Sequence, residues 1–216
     1  MLQIAALSDI HGNFGALLAV WRDLERHNLS TGPVLNAGDN VCYGEDPEET
    51  VQFLRSRNNI FSVQGNYDKT VALFPGRANS YKKKWGQFRP EKFQAIKQDS
   101  DKISDETRTW LLELPREQTM RYNGHSVIVT HYSPGAKEGI GPWTSSDDLE
   151  RIASKTTAEV VVCGHTHFPF VRKAGNVLFV NPGTVGRSAY DVSTYAVLTL
   201  ESNSSPSARI TTVIEP

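Results

Sequence analysis

The sequence predicts an α/β fold, on three observations. Apolar runs of strand length alternate with segments of helical periodicity from residue 1 to residue 64. A helical stretch then interrupts that rhythm. Beyond it the chain returns to short apolar runs separated by turn residues, so this later part is partly antiparallel. In the alternating part, neighbouring strands are parallel and joined by right-handed crossovers.

Each element follows from its residues. The first seven residues form a buried strand, and Asn13 to His27 a helix that carries Leu17, Leu18, Trp21 and Leu24 at helical spacing. Gly32-Pro33 breaks the chain before the strand Val34 to Ala37. Pro47, suited to a first helical turn, opens a second helix with Val51, Phe53 and Leu54. Ile60 to Gln64 is the third strand. An insertion at about 75–117 holds two expected helices, Ser80 to Gln98 and Asp105 to Leu114, the first with Trp85, Phe88 and Ile96 on its core face. Strands follow at Ser126 to Thr130, Val160 to Cys163, Phe168 to Lys173, Val177 to Asn181, Tyr195 to Leu200 and Ala208 to Ile214. Ala174-Gly175-Asn176 and the polar Ser202 to Ser207 are hairpin loops. The 216 residues are read as one domain, 1–216, including the insertion.

Composition narrows the function classes. With 23 Lys and Arg against 24 Asp and Glu, no bulk charge draws the chain to nucleic acid or to a membrane surface. Cys42 and Cys163 are too few for a disulfide framework and are read as reduced. No basic leader or long apolar span is present at the first residues, and a cytoplasmic location is expected.

The chemistry lies where the strands end. Ligands of an open α/β sheet bind at the carboxyl ends of its strands. Five expected strands finish in Ser8-Asp9-Ile10-His11, Gly38-Asp39-Asn40, Gly65-Asn66-Tyr67-Asp68, Thr130-His131 and Gly164-His165-Thr166-His167. Four of the six histidines lie there. Any one of these motifs is compatible with a cap, a turn or a surface histidine. All five in order, expected at one end of one sheet, point to divalent metal held by imidazole nitrogen and hard oxygen. Asp9, His11, Asp39, Asn66, His131, His165 and His167 make seven donors, more than one ion takes while leaving room for substrate. Two ions fit better, the arrangement that clamps the attacking and leaving oxygens of a phosphoryl displacement.

Asp-x-His, Gly-Asp, Gly-Asn, a lone His and Gly-His-x-His, in that order from Met1 to about Leu200, resemble the calcineurin-like metallophosphoesterases, most closely their small prokaryotic phosphodiesterase members. Asn181-Pro182-Gly183-Thr184 is similar to the Asn-Pro-Gly-Ser loop of those members. The resemblance implies a four-layer α/β/β/α sandwich. It also implies one metal on Asp9, His11, Asp39 and His167, and another on Asp39, Asn66, His131 and His165. Asp39 and a water or hydroxide would bridge the ions. Manganese is the first expectation for both, with iron, zinc, nickel or cobalt open.

Three residues beside the ligands carry further expectations. Asn66 and His131 are read as catalytic as well as ligating, with the Asn66 amide NH₂ free to donate to a phosphate. In many family members a proton-donating His follows this Asn; here Tyr67 stands in its place. Tyr67 is read as a wall residue that binds substrate, with weak-acid action as the alternative. Asp68 matches the family's next acidic residue and is a third catalytic candidate, or a residue behind the ligands. Arg187 is a candidate phosphate contact. Arg77 to Lys102 holds eight Lys or Arg, read first as a solvated helix surface and as a candidate cap over the site. The expected activity is hydrolysis of small soluble phosphodiesters, nucleotides among them, because small members without that His tend to be phosphodiesterases. A phosphomonoesterase, a nucleotide pyrophosphatase and a non-catalytic metal-binding scaffold stay open. The expected partner is the phosphoester alone, with nucleic acid disfavoured, no membrane, and a homo-oligomer open.

Overall fold

Two five-stranded sheets packed face to face organise the structure, a computed structural model that describes residues 1–189 and 192–214. In chain order, the first half runs β1 (Leu2–Leu7), α1 (Phe14–Arg26), β2 (Val34–Asn36), α2 (Pro47–Arg55) and β3 (Ile60–Ser62). Helices α3 (Asn66–Ala72), α4 (Phe74–Trp85), α5 (Pro90–Lys102) and α6 (Asp105–Glu113) follow. The second half runs β4 (Glu117–Tyr122), β5 (His125–Thr130), α7 (Ser146–Ala153), β6 (Val160–Val162), β7 (Phe170–Ala174), β8 (Val177–Asn181), β9 (Val192–Leu200) and β10 (Ser207–Ile214).

The first sheet has the order β10-β9-β1-β2-β3, with β1, β2 and β3 parallel and β9 and β10 antiparallel. The second has the order β4-β5-β6-β8-β7, with β5, β6 and β8 parallel between antiparallel edges. Side chains alternate along a strand, which sets the layers. Ile4 and Ala6 of β1 face Val127, Val129, Val160 and Val162 between the sheets. Ala5 and Leu7 face Leu17, Val20 and Leu54 of α1 and α2 on the outer side. Val161 and Phe179 of the second sheet face Leu149 and Ile152 of α7. The result is the expected α/β/β/α order. Strands buried on both faces have no polar side, which explains their unbroken apolar runs.

The helical stretch differs from its expectation. The single helix expected over Ser80 to Gln98 is two, broken between Trp85 and Pro90. Pro90 has no N–H to donate and pushes Arg89 out of the helical region, to φ −145° and ψ 62°. The proposed core face breaks with it: Ile96 is fully buried, but Phe88 is 79% exposed. Asn66 opens a further helix, α3, with Gly65 as its N-cap residue. Strand β4 lay outside the expectations because it is an edge strand whose side chains are exposed or half-buried throughout. Among the described residues no helix is long and apolar enough to cross a membrane.

Candidate metal centre

The five motif-bearing strand ends belong to both sheets, not to one as expected: β1, β2 and β3 in the first, β5 and β6 in the second. The turns beyond these ends interlock across the seam. Asp9 N–H donates to Gly38 O at 2.9 Å, His11 N–H to Asp39 O at 2.9 Å, and His165 N–H to Asp9 Oδ2 at 2.9 Å. Glycine is required where the turns touch. A Cβ on Gly65 would sit 2.1 Å from Asp39 Oδ1, and one on Gly164 1.9 Å from Ser8 Oγ. The loop after β8 ties the two sides together: Asn181 Nδ2 donates to Gly164 O at 2.9 Å, and Thr184 Oγ1 to Asp9 O at 2.7 Å.

Asp9, His11, Asp39, His165 and His167 all have φ between 54° and 71°, the left-handed region that residues with a Cβ rarely adopt. Such backbone costs of order 1–3 kcal/mol per residue and persists where the surroundings over-determine it. The return is convergence of the side chains. Ligand atoms of Asp9, His11 and His167 lie within 4.8 Å of one another, as do those of Asp39, His131 and His165. Asn66 joins the second group, its Oδ1 3.2 Å from His131 Nε2.

The donor atoms fit cations. Nδ1 of His11, His131 and His167 each faces a backbone carbonyl, of Cys42 at 3.1 Å, Ala37 at 2.8 Å and Arg187 at 3.3 Å. Those acceptors hold a ring hydrogen on Nδ1, so that Nε2 of each ring faces the centre and is the atom a cation would take. Nε2 of His11 and His167 face each other at 3.0 Å. Asp9 Oδ1 is buried without a hydrogen bond of acceptable geometry, although His167 Nε2 lies 3.3 Å away; burial disfavours charge on His167, and the Asp9 carboxylate outweighs it and raises the ring. Two facing imidazole nitrogens and an orphaned carboxylate oxygen are satisfied together by a cation of the kind that N and O donors select.

Charge follows burial and pairing. Burial pushes His11 down to about 4, so its imidazole is neutral and its lone pair free. Burial works to raise the Asp39 carboxyl, but the charge and hydrogen bond of His131 outweigh it and hold the group at about 2. His131 answers in the other sense: burial disfavours its charge, Asp39 outweighs that, and the ring is lifted to about 9. In the protein alone, a proton on His131 supplies charge that a metal ion would bring.

The remaining candidates fall around this core. Asp68 is fully buried and turned away from the cleft. Its oxygens accept the N–H groups of Asp39 at 3.0 Å, Asn40 at 2.7 Å, Val41 at 3.3 Å and Gly65 at 2.8 Å. Burial and the Asp39 carboxylate push it up to about 7 against the pull of those donors. Asp68 therefore shapes the loop that presents Asp39, the place behind the ligands that was one of its two expected roles. Tyr67 N–H donates to Asp39 Oδ1 at 2.8 Å, and its hydroxyl shares a 3.0 Å hydrogen bond with Tyr43. Burial and that bond push the phenol above its ordinary value, which argues against Tyr67 as an acid and leaves it as cleft wall. Arg187 stacks its guanidinium 3.7 Å over the Tyr43 ring at the cleft edge.

Two residues were not among the sequence candidates, Tyr132 and Asp99. Tyr132 Oη donates to Asn66 Oδ1 at 2.8 Å, and its ring lies 4.5 Å from that of His165. Asp99 of α5 accepts the Cys42 N–H at 2.6 Å, fastening the insertion to the turn behind His11. Of the two, only Tyr132 carried a signal, its place directly after the lone His. Half-buried Lys92, a member of the basic run, places Nζ 4.6 Å over Tyr67 and 4.9 Å over Trp85. The cleft encloses about 1020 Å³ and is lined by Asp39, Asn66, Tyr67, His165, His167 and Arg187, with Lys84, Arg89 and Lys92 on the insertion side. Part of the basic run thus faces the site.

Comparison with known proteins agrees with this geometry. The chain is 30% identical over 200 residues to an uncharacterized protein of Methanocaldococcus jannaschii, covering 86% of this chain and 76% of that one. A hypothetical protein from Pyrococcus horikoshii OT3 superposes with a TM-score of 0.86 at 20% identity, over 100% of this chain and 89% of the other. A metallophosphoesterase from Sphaerobacter thermophilus superposes at 0.74 and 24% identity, with the same coverage. The sequence profile of the calcineurin-like phosphoesterase superfamily domain matches residues 2–203. With that match over nearly its whole length, the chain belongs to the calcineurin-like phosphoesterase superfamily, whose members hydrolyse phosphoesters with bound metal.

Proposed function

We propose that the protein is a dinuclear metal-dependent phosphodiesterase for small soluble substrates. The observation that carries the reading is the pair of adjoining ligand groups, Asp9-His11-His167 and Asp39-His131-His165, with Asn66 beside the second. Bound there, two ions supply a water acidic enough to attack phosphorus near neutral pH and Lewis-acid polarisation of the phosphoryl oxygens. Manganese is the first candidate for both ions; the donor set also suits iron, zinc, nickel and cobalt.

The chain's own residues supply orientation. Backbone carbonyls fix the tautomers of His11, His131 and His167, and Tyr132 holds Asn66 Oδ1 so that the amide NH₂ points away from that bond. That NH₂ is placed to donate to a phosphate oxygen. Preference for diesters rests on Tyr67. An alkyl leaving oxygen, in monoester or diester, needs protonation, and a buried phenol already bonded to Tyr43 is a poor acid at neutral pH. The diester preference follows from the absence of the proton-donating His at this position, since small members of the family without it tend to be phosphodiesterases.

The test is turnover of bis-p-nitrophenyl phosphate and p-nitrophenyl phosphate side by side with Mn²⁺, with Asp39→Asn as control. Diester turnover about tenfold or more above monoester turnover, abolished in the variant, is the expected result. Monoester preference overturns the diester reading. Absence of turnover on both, with metal bound, favours a scaffold.

A further inference from the structure

A second concavity adjoins the metal cleft and shares Asn66, Thr70, Tyr81 and Tyr132 with it. It encloses about 770 Å³, within the size range of small-molecule sites. Its charge is one-sided. Lys69 of α3, Arg77 of α4, Arg116 just before β4 and Lys137 beyond β5 converge on it from four separate stretches of chain. The one carboxylate lining it, Glu117, accepts the Gly135 N–H at 3.1 Å. None of the four cations forms an ion pair among the described residues, whereas Lys97 and Arg151, on surfaces away from the clefts, pair with carboxylates of their own elements. In a chain with 23 basic and 24 acidic residues, four unpaired cations against the one carboxylate of Glu117 leave this hollow a net positive field, suited to focus an anion.

We propose that this groove binds a second anionic group of the substrate, so that the phosphodiester cleaved at the metal centre carries another phosphoryl group beyond the scissile one. The proposal rests on the phosphodiesterase reading and adds a substrate class to it. Asn66 and Tyr132 form the wall common to both hollows, so a ligand whose reacting phosphate meets Asn66 can extend past Tyr132 toward Arg77 and Arg116 without leaving the protein surface. Arg77 and Arg116 are the natural contacts, because guanidinium meets phosphate oxygens with paired donors.

Calorimetric titration of the Mn²⁺-loaded protein with 5′-phosphorylated dithymidine joined by a methylphosphonate linkage that resists hydrolysis, and with the same dinucleotide lacking the 5′-phosphate, tests this without turnover. The expected result is affinity about tenfold higher for the phosphorylated form. The double variant Arg77→Ala/Arg116→Ala reduces that preference below about twofold and leaves the unphosphorylated affinity unchanged, and Arg77→Lys/Arg116→Lys, which keeps the charge without the paired donors, restores only part of the preference. Both positions are exposed, so the variants fold. Equal affinity for the two forms, no binding of either, or a preference that survives in the alanine variant overturns the groove. Turnover of bis-p-nitrophenyl phosphate in the same variants reports separately on the metal centre: it persists if only the groove proposal is wrong, and is absent from wild type if the phosphodiesterase reading is wrong.

Discussion

The two halves of the candidate metal centre are built on opposite terms. Around Asp39 the chain satisfies its own ligands: Tyr67 N–H meets Oδ1, His131 stands 3.3 Å from Oδ2, and Tyr132 holds Asn66. Around Asp9 it satisfies one oxygen, through Ser8 Oγ at 2.6 Å and the His165 N–H, and leaves the other without a hydrogen bond, 3.3 Å from His167 Nε2, where the Nε2 atoms of His11 and His167 face each other at 3.0 Å. One half is pre-shaped by protein hydrogen bonds, while the other keeps its polar atoms for a cation. An unsatisfied buried oxygen costs about 1–3 kcal/mol, so a bound ion has more to repair at Asp9 than at Asp39.

The largest expected effect erases the difference. On the proposed two-ion hydrolysis of diesters, Asp9→Asn and Asp39→Asn each lower turnover by about 10³-fold or more. A variant that keeps more than a tenth of wild-type kcat would show that one half suffices. Next is the support behind Asp39. Asp68→Ala orphans four backbone N–H groups and lowers unfolding free energy by about 3 kcal/mol in urea titrations, with Asp68→Asn milder.

The sharpest contrast comes in chelator-treated protein, where Asp39→Asn lowers stability by about 1–2 kcal/mol and Asp9→Asn by less. Asp39→Asn removes the partner that lifts His131 to about 9. Asp9→Asn likewise removes the carboxylate that raises His167, but keeps an acceptor for Ser8 and turns an NH₂ donor toward the facing imidazoles. Equal losses would dissolve the comparison. At His167, where φ is 63°, metal-free His167→Gly is more stable than His167→Ala by about 1 kcal/mol, since glycine alone relieves the backbone.

The smallest effect lies away from both halves. His125 is raised above its ordinary value by hydrogen bonds to Glu201 O and to Glu159, the latter at 2.5 Å. A raised histidine stabilises the fold below its unfolded pKa of about 6.5, and this is lost as pH climbs through the higher folded value. His125→Gln therefore flattens the stability profile in the window just above pH 6.5. A profile unchanged by the substitution would remove His125 from the account.

What could be read in advance divides along physical lines. The metal-ligand candidates were legible because metal chemistry demands particular residue types, and strand ends punctuate them. Which sheet each strand joined was not, because β2 and β6, both short apolar runs, carry nothing that names a neighbour. Tyr132, Asp99 and Lys92 are ordinary residues whose importance comes from partners distant in sequence, such as Cys42 for Asp99. The break at Pro90 was legible, and helical periodicity on either side concealed it.

The seam between the sheets has a kinetic consequence. Asp9 and His165 are 156 positions apart, and their hydrogen bond forms only when β1 and β6 have found their separate sheets and those sheets have docked. Closing a loop of that length is among the slow events of folding. A chain with one sheet formed offers an ion half a coordination set, so metal capture belongs to the final step and makes that step hard to reverse.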